Sequence, residues 1–226
     1  MTRSFTERGF SLIELSIVLI VFGLLAGSLL GQSTGQRRLL AEQHARAQLD
    51  LSLEALYGFA IGQGRLPCPA DPTLDSKLEK AGTEDCSKGD SGVLPWRTLA
   101  LPETDPWGQR LSYKVSSKFT AEPGGGAQAG FTLSDQGSLD VIPGSYTTHT
   151  VASKLPAVIV SHGRNGLGGY RSNGQRSPAG LADEAENADG KTPFVNRPPD
   201  SQYDDLTAWI VPTVLNTRML AAGRLP

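Results

Sequence analysis

Charge of one sign is missing from this sequence. Its 226 residues carry 21 Lys and Arg against 23 Asp and Glu, a formal net charge of −2. A chain this close to neutral has no bulk field to draw in nucleic acid or anionic lipid, so composition gives a nucleic-acid partner no support. Reactive side chains are scarce too. The 2 cysteines do not supply the four ligands of a structural zinc. The histidines, His44, His149 and His162, sit in no G-x-S-x-G elbow and no H-E-x-x-H helix. Ser161 and His162 are adjacent, and neighbours on a strand point to opposite faces, so they make no dyad. The chain is therefore expected not to be an enzyme. Gly124-Gly125-Gly126 lacks the Lys-Ser/Thr that would make it a phosphate loop, and no internal repeat is visible. What is present is ample apolar material, 38% of the chain, with 26 Gly and 15 Pro. A packed core, many turns and few long helices follow.

The apolar residues are unevenly spread. Phe10 to Leu30 reads FSLIELSIVLIVFGLLAGSLL, with Glu14 its one charge. As a helix this run is about 31 Å long, enough to span a bilayer core of about 30 Å. Arg3 and Arg8 precede it, and Arg37, Arg38 and Arg46 follow, so the flanking charges leave its orientation ambiguous. A cleaved signal peptide fits the basic start and the small residues at 26–28, but not a carboxylate early in the run. A lipoprotein is excluded because no Cys follows the run. A plain membrane anchor leaves Glu14 unexplained. A segment stored in a bilayer and later packed into an assembly explains it, as half of a waiting ion pair.

Gly9-Phe10-Ser11-Leu12-Ile13-Glu14-Leu15 stands directly before that run. It resembles the processing site of type IV prepilins and type II secretion pseudopilins. The resemblance implies a leader, residues 1–9, removed by a prepilin peptidase between Gly9 and Phe10. It also implies methylation of the new Phe10 terminus and an assembly role for Glu14. The chemistry agrees: the Phe10 ammonium of one subunit and the Glu14 carboxylate of a neighbour offset each other's cost in an apolar setting and fix register. Gly9, having no side chain, lets a protease approach the backbone closely.

Beyond Leu30, GQSTG at 31–35 is weak helix-forming sequence. From Gln36 the pattern becomes amphipathic, with Leu49, Leu53, Leu56 and Ala60 on one face, until Gly62, Gly64 and Pro67 end the helix. His44 reads as a solvated surface residue. In an exported head, Cys68 and Cys86 read as a disulfide, worth about 3 kcal/mol for a loop of that length, with a metal site the rival. Asp105-Pro106-Trp107-Gly108 is a turn leading into a strand at 111–115, and it resembles the start of the head sheet of major pseudopilins. Trp96 and Trp107 read as core. Further strands are predicted at 131–133, 139–142, 157–161 and 206–211, and a helix from Pro212 to about Ala222.

His162 to Tyr170 is Gly-rich, and Asp183-Glu184-Ala185-Glu186-Asn187-Ala188-Asp189 follows. In major pseudopilins a similar turn and Glu-Asn-Ala-Asp stretch make a calcium loop. The resemblance implies Ca²⁺ held by Asn165, Glu186, Asn187 and Asp189, oxygen-bearing groups that suit a hard cation. It departs from that pattern at Asn165, where an acid is usual, and in the length of chain between the two parts.

The expected fold is α+β: a leader at 1–9, a long N-terminal helix at 10–62 with 10–30 transmembrane, and a head at 63–226. The helix packs on a small antiparallel sheet with extended loops. The expected function is a pilin-like subunit of a type IV pilus or type II secretion pseudopilus. Its partners would be prepilin peptidase, other pilin or pseudopilin subunits, an inner-membrane assembly platform and, before assembly, membrane lipid. It would lie in the bacterial inner membrane as a single-pass protein with a periplasmic head, then in the filament. The D-P-W-G and E-N-A-D stretches favour a structural or pseudopilin subunit. The large head and its Cys loop favour a minor pilin whose head binds a surface, DNA or an exported protein. A signal-anchored periplasmic enzyme is the remote third reading.

Overall fold

A stretch of more than fifty residues without proline lets a single helix form, and α1 runs from Leu12 to Gln63. The computed structural model describes residues 11–144, 147 and 149–225, and of 26–35 the helical backbone only. The helix passes through the weak GQSTG stretch without a break. It stops at Gly64, whose φ of +74° suits a glycine. A Cβ there would collide with the Gln128 carbonyl, so the close approach of that loop also requires glycine.

The chain divides into two compact units, Met1–Ala41 and Glu42–Pro226. In the first, the described side chains of 11–25 are exposed, from Leu12 to Leu25. Among the described residues no helix is long and apolar enough to cross a membrane. The expected span, Phe10–Leu30, extends beyond the described side chains at both of its ends.

The second unit is built on a four-stranded antiparallel sheet. Its strands are β1 (Ser91–Val93), β3 (Ser112–Val115), β6 (Ala157–Ser161) and β9 (Leu206–Trp209), in the order β1-β3-β6-β9. β2 (Gln109–Arg110) pairs with β7 (Tyr170–Arg171). A third sheet joins β4 (Leu139–Ile142) to β5 (Ala152–Leu155) antiparallel and to β8 (Phe194–Val195) parallel. Two short helices complete the unit, α2 (Asp183–Ala188) and α3 (Pro212–Ala221).

Period-two alternation divides the main sheet between two cores. Tyr113, Val115, Ala157 and Ile159 pack with Leu49, Leu56, Tyr57 and Ala60 of α1 and with Leu215 and Met219 of α3. Val158 and Val160 point the other way, onto Leu139, Val141, Leu155 and Phe194 of the third sheet. β6 is covered on both faces, which is why its sequence is an unbroken apolar run. The expected strand at 131–133 is instead a turn. Thr132 N–H donates to the Asp135 carboxylate and Asp135 N–H donates back to the Thr132 carbonyl. Phe131 still reaches the core, its ring 4.8 Å from that of Phe119.

Arginines tie the loops down. Arg110 is fully buried, pairs with Glu103 at 2.8 Å and donates to the carbonyls of Pro72, Leu74 and Ser172. Arg224 donates to the Ile61 and Gly62 carbonyls, which satisfies the open end of α1. Arg218 grips both oxygens of Glu54 and lies 4.3 Å from the Tyr57 ring centre, clamping α3 to α1. Cys68 and Cys86 form the disulfide. Glu84, inside its loop, accepts from Cys68 N–H and pairs with Arg65.

Candidate functional site

The first site is the start of α1. Ser11 opens the helix, its carbonyl accepting from the N–H groups of Glu14 and Leu15. That places Glu14 in the first turn, where a carboxylate complements the helix dipole. Glu14 is exposed among exposed apolar neighbours, Leu12, Ile13, Leu15, Ile17 and Val18. A surface of that composition is unstable in water and is matched by lipid or by other helices. Gly9 and Phe10 lie outside the described residues.

The second site lies where the Gly-rich loop after β6 meets α2 and the start of β9. Three of the expected ligands, Asn165, Asn187 and Asp189, have contacts of their own. Asn165 uses its side-chain N–H₂ to donate to Glu184 at 2.7 Å. Asn187 is buried and donates to Asp205 at 2.9 Å, to the Val195 carbonyl and to Tyr203 Oη. Asp189 is exposed, accepts from Lys191 N–H and pairs with the Lys191 ammonium. Glu186 is half-buried on the same short helix.

A set of carboxylates converges beside them. Glu184, Asp204 and Asp205 present carboxylate oxygens within 4.8 Å of one another. Glu184 Oε1 accepts from Asn165 and from Asp204 N–H. Asp204 Oδ2 accepts from Asn165 N–H, and Asp205 Oδ2 accepts from Asn187. Asp204 Oδ1 and Asp205 Oδ1 are buried without a hydrogen-bond partner. Gly163 admits Asp204, since a Cβ at this position of φ +58° would collide with that carboxylate. Burial pushes the Asp205 carboxyl up to about 8; the Asn187 hydrogen bond opposes this, and the nearby Glu184 and Asp204 charges add to it. Asp204 is also raised, chiefly by burial.

His162 adjoins the cluster. Its Nε2 is 2.7 Å from Ser112 Oγ and its Nδ1 is 3.9 Å from Asp205 Oδ1. Full burial lowers it to about 4, with the Arg176 charge adding and the Leu167 carbonyl opposing. Ser161 points elsewhere, donating to Asp105 at 2.7 Å, as strand alternation requires.

Glu184, Asp204 and Asp205 have an oxygen-only donor set with two buried oxygens unfilled, which fits a hard divalent cation. Sequence reasoning missed all three. Glu184 stood two residues before an expected ligand, and Asp204-Asp205 read only as the approach to a strand. An acidic pair directly before an apolar strand was the available signal.

Residues 5–30 match the family model described as the prokaryotic N-terminal methylation motif, the hallmark of type IV pilins and pseudopilins. That motif implies processing by prepilin peptidase and assembly with other pilin subunits. No curated protein and no solved structure matches the chain.

Proposed function

We propose that the protein is a pilin-like subunit, cut between Gly9 and Phe10, methylated at Phe10 and assembled through α1 into a type IV pilus or a type II secretion pseudopilus. One observation carries the reading: an exposed apolar helix, headed by a methylation motif, holds Glu14 as the lone charge in its first turns. In hydrocarbon that carboxylate costs free energy; beside a neighbour's terminal ammonium the cost is largely offset. The test separates storage from assembly. Glu14→Ala should insert in the membrane and be processed as wild type, yet be depleted from sheared filaments or crosslinked oligomers. Equal recovery of the mutant would remove Glu14 from the register-setting role. Intact mass should show loss of nine residues and one added methyl group; an N-terminus near Ser28 would restore a signal peptide.

The head is further proposed to hold Ca²⁺ at Glu184, Asp204 and Asp205, with Asn165 and Asn187 positioning those carboxylates. A cation there would relieve the repulsion of buried like charges and fill both open oxygens. Calcium should then raise the melting temperature by mass action. Asp204→Asn should abolish the rise and Asp189→Ala should leave it. Melting unchanged by millimolar calcium or chelator would retire the site.

A further inference from the structure

A sheet edge without a neighbour is a template for one, because its outward N–H and C=O groups match those of an extended backbone laid alongside. β9 is the last strand of the main sheet. Just past it, Ile210 N–H donates to the Ala157 carbonyl. By antiparallel alternation Ala208 and Leu206 then turn their main-chain groups inward, to Ile159 and Ser161. Thr207 and Trp209 turn theirs outward, where they make no hydrogen bond among the described residues.

The other edges of the two larger sheets are blunted. At the far side of the main sheet, β1 is covered by Ala70, which exchanges both main-chain hydrogen bonds with Val93. On the third sheet, β5 shifts register against β4 and carries the exposed Lys154 at a φ of +56°. β8 is two residues long. Irregular register, lysine and short strands are common means of closing an edge. β9 has none of them: Leu206–Trp209 is regular, uncharged and free of proline.

A groove of about 370 Å³ lies along this edge. α1 packs on one face of the main sheet and the third sheet on the other, so the edge is a floor between two walls. Arg46 comes from the α1 wall, Asn196, Arg197 and Pro198 from the stretch after β8, and Leu206 and Thr207 from the floor. Thr207 Oγ1 is buried without a hydrogen-bond partner. Arg197 is tied to Asp183 and Asp200. Arg46 pairs only with Glu42, and both side chains are exposed, so that pair holds it weakly. Its guanidinium is free to turn to a carboxylate on an incoming chain.

We propose that the β9 edge docks an extended, acidic segment of another protein, added as a fifth strand of the main sheet. The main-chain groups of Thr207 and Trp209 pair with alternate residues of that segment and select an extended backbone. Arg46 selects an acidic side chain on the face of the added strand that looks toward α1. The surface lies apart from the start of α1, and the proposal rests on neither the assembly reading nor the calcium reading.

The test uses the full-length protein in detergent, with chelator present because Asp205 lines the groove and also belongs to the acidic cluster. The probes are the end-blocked peptides Thr-Val-Glu-Val-Thr and Thr-Val-Lys-Val-Thr, and the readout is main-chain amide exchange by NMR. In the protein alone, the amides of Thr207 and Trp209 should exchange fast and that of Ala208 slowly. The glutamate peptide should slow the first two saturably. It should bind about tenfold tighter than the lysine peptide, and Arg46→Glu should reverse that order. Thr207→Pro removes an outward donor and no ladder bond, so it should keep the melting temperature and lose the peptide. Exchange unchanged up to millimolar glutamate peptide, equal binding of the two peptides, or undiminished binding by Thr207→Pro overturns the proposal. So does protection in the protein alone that is lost on dilution, which would give the edge to a second copy. The amides are read on wild type, so they decide even where a variant does not fold.

Discussion

Asp205 is held in a setting that opposes its charge. Its carboxyl stays protonated up to about 8 in the fold, whereas an unfolded Asp ionises near about 3.9. Between those values the folded state keeps a proton that the unfolded state has lost, so stability falls as pH rises. His162 works in the opposite sense. Its folded value is pushed down to about 4, so its contribution grows with pH and is complete above the unfolded value of about 6.5. The span from about 6.5 to about 8 therefore isolates Asp205. In chelator, the melting temperature of the protein should fall through that span, and Asp205→Asn should flatten the curve. A flat wild-type curve would show a carboxyl that ionises normally. Neither residue's burial was legible in the sequence. Ser112, His162 and Asp205 are far apart along the chain and meet only through strand pairing. The methylation motif was legible, because its residues are contiguous and an apolar run follows them.

Among the elements, α1 was the most readable. The recurrence of Leu49, Leu53, Leu56 and Ala60 marks one face, and that face is the one that packs. Leu56→Ala should cost about 2–5 kcal/mol in urea unfolding, because it leaves a cavity against the sheet. Leu51, 53% exposed on the opposite side, should change stability by less than about 0.5 kcal/mol when made Ala. Equal effects would mean that the helix is not seated as described. The strands at 139–142 and 157–161 were readable from their runs of apolar residues. The segment 131–133 misled because Thr132 and Asp135 satisfy the local backbone with a turn while Phe131 still enters the core. Two-residue strands such as β2 and β8 carry too few side chains to show any period.

On the scale of the whole molecule, the disulfide and the arginine anchors divide the work of holding the long loops. Cys68→Ser should lower head stability by about 2–4 kcal/mol, read by chemical unfolding. Native protein should resist alkylation until reduced; thiols that react without reductant would remove the bridge. The loop it closes should stay docked on reduction, because Arg110 and Arg97 hold the carbonyls of Pro72, Leu74, Ser76 and Leu78. The placement of Leu49, Leu56, Tyr57 and Ala60 inside the head core has a practical side as well. The last turns of α1 are not a stem on which a finished domain is mounted; they are one wall of that domain. A recombinant fragment trimmed to begin at residue 63, where the helix gives way to loops, would discard that wall and expose the Tyr113–Ile159 face of the sheet. A fragment trimmed at Glu42, the first residue of the second unit, retains it. Where a laboratory places its scissors thus decides whether it obtains a folded head or an aggregate.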